Sequence, residues 1–194
     1  MDAERTPTVF VCGPLTHALE EGPPEEQPRL DEDLAAFLDL IHETIEQGRL
    51  KVASAHREEL AGPHQLTRPL ELTPGVIAKR DAGWMHDCDA AVFVLGTPSQ
   101  PCWRTDGTFI ELGWATMLRK PVVLVGDLDA YSSDLVRGMP TLLQEPPILA
   151  PKHLQERPAL LLAALGRVAP QLALPAEEAL QREQGGAVGP VGQP

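Results

Sequence analysis

The sequence predicts an α/β domain: a doubly wound, mainly parallel five-stranded sheet with helices on both faces. Three observations predict it. Short, almost wholly apolar runs recur along the chain, as TVFVC at 8–12, AAVFVL at 90–95 and PVVLV at 121–125. Segments with a helical apolar stripe separate them. The runs lack the polar alternation of a half-exposed strand, so both faces of the sheet must be covered. Strands and helices in alternation give a parallel sheet through right-handed crossovers, the Rossmann or flavodoxin-like arrangement.

Taken in order, Thr8 to Cys12 is a strand that ends at Gly13-Pro14. The segment 16–30 is rich in Pro, Glu and Gly and is expected to be a mobile loop. Asp31 opens a helix with Leu34, Phe37, Leu38, Ile41 and Ile45 on one face, and Gly48 stops it. A second strand follows at Lys51 to Ala55, then an irregular stretch over 56–73. Thr73-Pro74 is a strong start signal, an N-cap followed by proline at the first helical position, for a helix to about Asp87. The third strand leads through a loop at 96–107 into a helix from Thr108 to Leu118. The fourth strand, a weak fifth near Ile148 and a helix from Leu154 to Val168 complete residues 1–172 as one domain. Residues 173–194, ending GGAVGPVGQP, read as a disordered tail.

The formal charge of −12 opposes contact with nucleic acid polymers or anionic membranes, both of which need a basic face. A small anionic ligand stays compatible with it. The three cysteines, Cys12, Cys88 and Cys102, are widely spaced and imply neither a disulfide framework nor a zinc motif. Met1 to Pro7 is polar and unlike a signal peptide, and no run is long enough for a transmembrane helix. The expectation is a cytoplasmic protein. His86, Cys88 and Asp89 are close in sequence but lie on a helix end and a strand start with no fourth ligand. No metal and no other cofactor is expected.

In open parallel sheets ligands bind at the carboxyl ends of the strands. That rule selects Gly13-Pro14-Leu15, His56-Arg57 and the loop up to Thr108. The most informative stretch is TDGTFIELGWA at 105–115. Gly107 allows close backbone approach. Read with Thr108 opening the helix, Glu111 falls in the first turn, where the dipole favours an anion and would keep the carboxylate ionised. Hydroxyls of Thr105 and Thr108 could hold a phosphate or a sugar. Spacing alone also allows a plain capping box, Thr108-x-x-Glu111, with no chemistry at all.

The ordered set Gly13-Pro14, Asp89 and Glu111-Leu112-Gly113 resembles the nucleoside 2-deoxyribosyltransferase superfamily. Ala55-His56-Arg57 and the Gly113-Trp114-Ala115 after the glutamate are similar to the cytidylate (CMP) N-glycosidases within it. The resemblance covers roughly 8–140. It implies that Glu111 attacks the anomeric carbon and that Asp89 orients the sugar or protonates the departing base. It implies that Gly13, Pro14, Leu15, His56, Arg57, Thr105, Asp106, Gly107 and Thr108 bind substrate. Thr105 falls where nucleotide-cleaving members carry a phosphate-binding serine, six positions before the nucleophile. It further implies a homo-oligomer whose sites are shared between subunits.

The expected activity is hydrolysis of the base–sugar bond of a nucleoside 5′-monophosphate, CMP or a modified pyrimidine nucleotide, through a covalent glycosyl–Glu111 intermediate. A deoxyribosyltransferase, in which a second base resolves the same intermediate, is the alternative within the resemblance. A non-catalytic nucleotide sensor is the alternative from another class. The bland readings stay open for the satellites: Asp89 as a turn residue before a strand, and Arg57 as a solvated cation paired with Glu58 or Glu59.

Overall fold

The computed structural model describes residues 5–14, 19–20, 29–59, 73–103, 105–143 and 145–172. Its elements in chain order are β1 (Thr8–Cys12), β2 (Leu19–Glu20), β3 (Arg29–Leu30), α1 (Glu32–Gln47), β4 (Lys51–Ala53) and α2 (Ala55–Glu59). There follow α3 (Pro74–Asp87), β5 (Ala90–Val94), α4 (Asp106–Met117), β6 (Val122–Val125), α5 (Asp134–Leu142), β7 (Ile148–Leu149), α6 (Pro151–Glu156) and α7 (Ala159–Val168). β2 and β3 form a separate antiparallel ladder. This is ordered structure inside the segment expected to be a loop.

The main sheet has five strands in the order β4-β1-β5-β6-β7, all parallel. The chain starts in β1, steps outward to β4, then crosses back over β1 to β5 and continues the other way. The order therefore reverses between β1 and β5, and the crevice beyond their carboxyl ends is where this topology places ligands.

Alternation within each strand sorts the core into two layers. Val9, Val11, Val92, Val94, Val123 and Val125 face one side, against Leu34, Leu38, Ile41 and Ile45 of α1 and Leu161 and Leu165 of α7. Phe10, Cys12, Ala91, Phe93, Leu95 and Leu124 face the other, against Met85 of α3 and Leu112 and Ala115 of α4. Burial of both strand faces is why the sequence runs look continuously apolar. Each fully buried Leu or Ile of α1 contributes roughly 2 kcal/mol before entropy is counted.

Helix starts follow local chemistry. The Asp31 carboxylate accepts the Leu34 amide at 2.8 Å, and Thr73 accepts the Val76 amide at 3.4 Å. The expected helix from Leu154 is two helices, α6 and α7, divided at Arg157-Pro158. Proline disfavours helical backbone in the residue before it, and Arg157 there is extended, with ψ 79°. α5 and the short helix at Ala55–Glu59 were not anticipated. Among the described residues, no helix is long and apolar enough to cross a membrane. Leu15, residues 60–72 and the 173–194 tail lie outside the described residues.

Candidate active site

Glu111 lies at the β1/β5 reversal. It belongs to α4, but α4 starts two residues earlier than Thr108. Thr105 is the N-cap, and its hydroxyl accepts the Thr108 amide at 3.5 Å. Glu111 is therefore the sixth residue of the helix, beyond the first turn. This overturns the capping-box reading, since its carboxylate has no free first-turn amide to bond. Instead it meets the Cys12 thiol, at the carboxyl end of β1.

Glu111 lines a small cavity of about 20 Å³ with Cys12, Gly13, Leu38, Ser54 and His56. The walls come from the ends of β1 and β4, from α1 and from the start of α2. A Cβ at Gly13 would stand 3.1 Å from the Leu38 side chain, which would have to give by a few tenths of an ångström. The cavity is large enough for about one water-sized group.

The expectation that the helix dipole keeps Glu111 ionised is also corrected. Burial first, and then the charge of Asp81, push its carboxyl up from 4.5 to about 8, against the opposing pull of the Cys12 thiol and Arg80. Burial first, and then the Glu111 carboxyl, push the Cys12 thiol well above the usual thiol range. At neutral pH Glu111 rests mainly protonated.

Asp81 is the carboxylate the sequence reading passed over. It lies on α3 and is buried. Arg80 Nε donates to Asp81 at 2.8 Å, and Arg80 Nη2 donates to Glu59 at 2.7 Å. The guanidinium also stacks over Trp84, 4.5 Å from the ring centre. Burial raises the Asp81 carboxyl above its ordinary value, and the Arg80 bond opposes the rise. A sequence signal existed: Ile77, Asp81 and Met85 recur at four-residue spacing, so an acid occupies the apolar stripe of α3.

Asp89 is at the other end of the sheet. Its oxygens accept from the Thr8 amide at 2.7 Å and from Arg5 at 2.7 Å, and its own amide donates to Thr8 at 2.8 Å. Thr8 and Cys12 are the two ends of β1, which four residue steps separate by about 13 Å. Asp89 closes the amino edge of the sheet, the turn role left open above, and does not reach Glu111. His86 is exposed beside Asp87, so the structure does not gather it with Cys88 and Asp89.

The remaining expected residues divide. His56 and Gly13 border the Glu111 cavity, and Pro14 is buried next to it in sequence. Arg57 points away and forms a two-point pair with Glu46, not with Glu58 or Glu59. Thr105 and Asp106 border a different, larger cavity of about 520 Å³ with Phe109, Tyr131 and Met139. Helical geometry explains the split, because Glu111 and Phe109 project from nearly opposite sides of α4. The hydroxyls of Thr105 and Thr108 lie 3.4 Å apart and are buried in the cap. Gly107 has no tight neighbour; the close backbone approach in this loop is at Gly96, where a Cβ would come 2.3 Å from the Pro101 carbonyl oxygen. Tyr131 fixes the same loop by donating to the carbonyls of Leu95 at 2.7 Å and Trp103 at 2.9 Å.

Among solved structures, the solution structure of BlsM is 28% identical, covers 95% of this chain and 98% of its own, and superposes with a TM-score of 0.50. The chain shares with it a doubly wound, parallel α/β fold. The Clostridium botulinum CMP N-glycosidase BcmB is 19% identical over 77% of this chain and 96% of its own, with a TM-score of 0.49. A 2-desoxiribosyltransferase from Leishmania mexicana is 16% identical over 61% and 63%, with a TM-score of 0.38. No protein-family model and no curated protein matches the chain.

Proposed function

We propose that this protein is an N-glycosidase that hydrolyses the base–sugar bond of a nucleoside 5′-monophosphate, with CMP or a modified pyrimidine nucleotide as substrate. The observation that carries the reading is the direction of Glu111. Its carboxyl faces the cavity at the β1/β5 reversal and bonds the Cys12 thiol, with Asp81 close enough to raise its proton affinity. A structural cap would bond its own helix's amides.

The chemistry follows from the pair. A glycosidic bond breaks through an oxocarbenium-like state that a carboxylate stabilises and then captures. The departing base leaves poorly as an anion and needs a proton. Glu111 and Asp81 together hold a proton at neutral pH, because burial makes two adjacent negative charges costly. As C1′ separates from the base nitrogen, the Glu111 oxygen bonds C1′, and the proton passes by way of Asp81 to the base. Water then cleaves the ester, releasing ribose 5-phosphate, and its proton restores the pair. Asp81 replaces Asp89 in the acid role.

Only the reacting end of a nucleotide fits the 20 Å³ cavity, so the base and phosphate lie outside it. His56, on its wall, would bond the sugar beside C1′. The phosphate is assigned to the start of α4, at the amides of Asp106 and Gly107, since the Thr108 amide is taken by the Thr105 hydroxyl.

The test is incubation with CMP, UMP, dCMP and cytidine, with base release followed by chromatography. Free base from a monophosphate without a second base supports hydrolysis. Exchange only when a second base is supplied makes the protein a transferase. Binding without any base release makes it a sensor. An activity that survives Glu111→Ala overturns the mechanism in either case.

A further inference from the structure

We infer that Asp39, His42 and His56 form a binding site for a divalent transition-metal ion of the zinc type. The three side chains come from two elements, Asp39 and His42 from adjacent turns of α1 and His56 from the start of α2. One donor atom from each lies within 4.8 Å of the other two. The imidazole rings of His42 and His56 are 5.3 Å apart between centres and tilted by 47°. His56 Nδ1 is 3.8 Å from an Asp39 carboxylate oxygen.

A second observation points to a ligand. His42 is fully buried, 0% exposed, and neither of its ring nitrogens meets a hydrogen-bond partner. Buried polar atoms are ordinarily satisfied, and an imidazole left bare in a core is costly. The surrounding face of α1 is otherwise apolar, with Leu38, Ile41 and Ile45 in the same core layer. A leucine would fill that position without the cost. A metal ion supplies the missing partner.

The donor set fits the ion. Two imidazoles and one carboxylate with a fourth position for water are a zinc ligand set, with metal–nitrogen bonds of about 2.0–2.1 Å. Such bonds put donors about 3.4 Å apart in a tetrahedron, so side-chain rotation of roughly 1 Å closes the site. The Asp39 side chain is 49% exposed and opens the cluster to solvent. Because His56 also borders the Glu111 cavity, the bound ion would lock α1 to α2 and fix the ring orientation on that wall. No sequence motif marks this site, since thirteen residues separate its two histidines and the i,i+3 pair on α1 has no cysteine beside it.

The experiment uses the untagged full chain, stripped with a chelator and titrated with zinc against a chromophoric indicator. Expected are one zinc per chain with a dissociation constant below about 10 µM and a rise of several degrees in melting temperature at saturation. Asp39→Asn should weaken binding at least tenfold and remove most of the thermal shift. His42→Gln should abolish both. Circular dichroism checks that each variant folds; if His42→Gln does not, the half-exposed Asp39 decides alone. Absence of zinc binding at 100 µM overturns the inference. So does binding that Asp39→Asn leaves unchanged, which would place the ion on the cysteines or elsewhere. Base release plays no part in the readout, so the site stands or falls apart from the proposed activity.

Discussion

Replacing Glu111 by glutamine should change how stability depends on pH, and the structure gives the sign and size. In the unfolded chain the carboxyl ionises near its ordinary value of 4.5; in the folded protein it ionises at about 8. Below pH 4.5 both states hold the proton and the group contributes no slope. Between the two values the unfolded state sheds the proton while the folded state keeps it, so folding becomes less favourable as pH rises. Above about 8 the loss is complete. At about 1.4 kcal/mol per pH unit, the full loss would approach 5 kcal/mol. Glu111 is not wholly shut off from water, so a loss of about 2–5 kcal/mol is expected. Glutamine keeps the shape and has no proton to lose. Urea denaturation at pH 5 and pH 8.5 measures the difference for each protein. The rest of the acidic chain contributes equally to both and cancels. The wild type should lose stability relative to Glu111→Gln across that window. Parallel slopes would show that Glu111 is not a buried, proton-holding acid, and the proton circuit built on it would fall.

Other outcomes follow from the same geometry. Asp81→Asn should cut base release by at least about 100-fold with little change in KM, whereas Asp89→Asn should leave kcat intact and lower stability by about 1–3 kcal/mol through its bonds to Thr8 and Arg5; steady-state kinetics and denaturation on both variants separate the two. Arg57→Ala should leave activity within about threefold, since the side chain pairs with Glu46 on the surface. The kcat/KM for base release from CMP should fall as pH rises past about 8, when the Glu111 proton of the free enzyme is lost, and a pH profile of that ratio reads it. Tyr131→Phe should cost about 1–3 kcal/mol by removing the hydroxyl donor from the Trp103 carbonyl and from the Leu95 carbonyl, which keeps only the Trp103 amide, measurable by denaturant titration.

The sheet was legible because its signal is physical and local. β1, β5 and β6 are apolar on both faces, and Asp31, Thr73 and Gly48 mark helix ends by hydrogen bonding that depends on neighbours in sequence. α5 was not legible: none of its residues is fully buried, and a proline lies inside it. Glu111 does lie at the carboxyl end of the sheet, but its surroundings differ from those the sequence implies. A helix starting at Asp106 instead of Thr108 moves Glu111 from a first-turn amide cluster into a buried interface, and two residues are within the ordinary uncertainty of a helix boundary. Asp89 and Asp81 are separated by two helical turns in sequence and by the height of the sheet in space. Both are an Asp near a strand, and only the stripe position of Asp81 on α3 distinguishes the one facing inward. His42 was hidden for the same reason: a histidine within an apolar stripe reads as part of the core until its nitrogens are checked for partners.

Burial of Glu111 serves both halves of the reaction it is proposed to perform. An ionised carboxylate inside the protein would destabilise the free enzyme, and the raised proton affinity avoids that state. The proton it retains is the one the leaving base lacks. A nucleophile held at the surface would be permanently charged, more heavily hydrated, and would need a separate acid. When a substrate brings developing positive charge to C1′ beside Glu111, the same low-dielectric surroundings that disfavour the bare carboxylate strengthen its attraction to that charge. Arg80 limits how far this goes: by bonding Asp81 at 2.8 Å it restrains that acid's affinity, so that Asp81 can take the proton from Glu111 and still release it to a base. Removing Arg80 should therefore slow proton delivery, read as a lower kcat for base release.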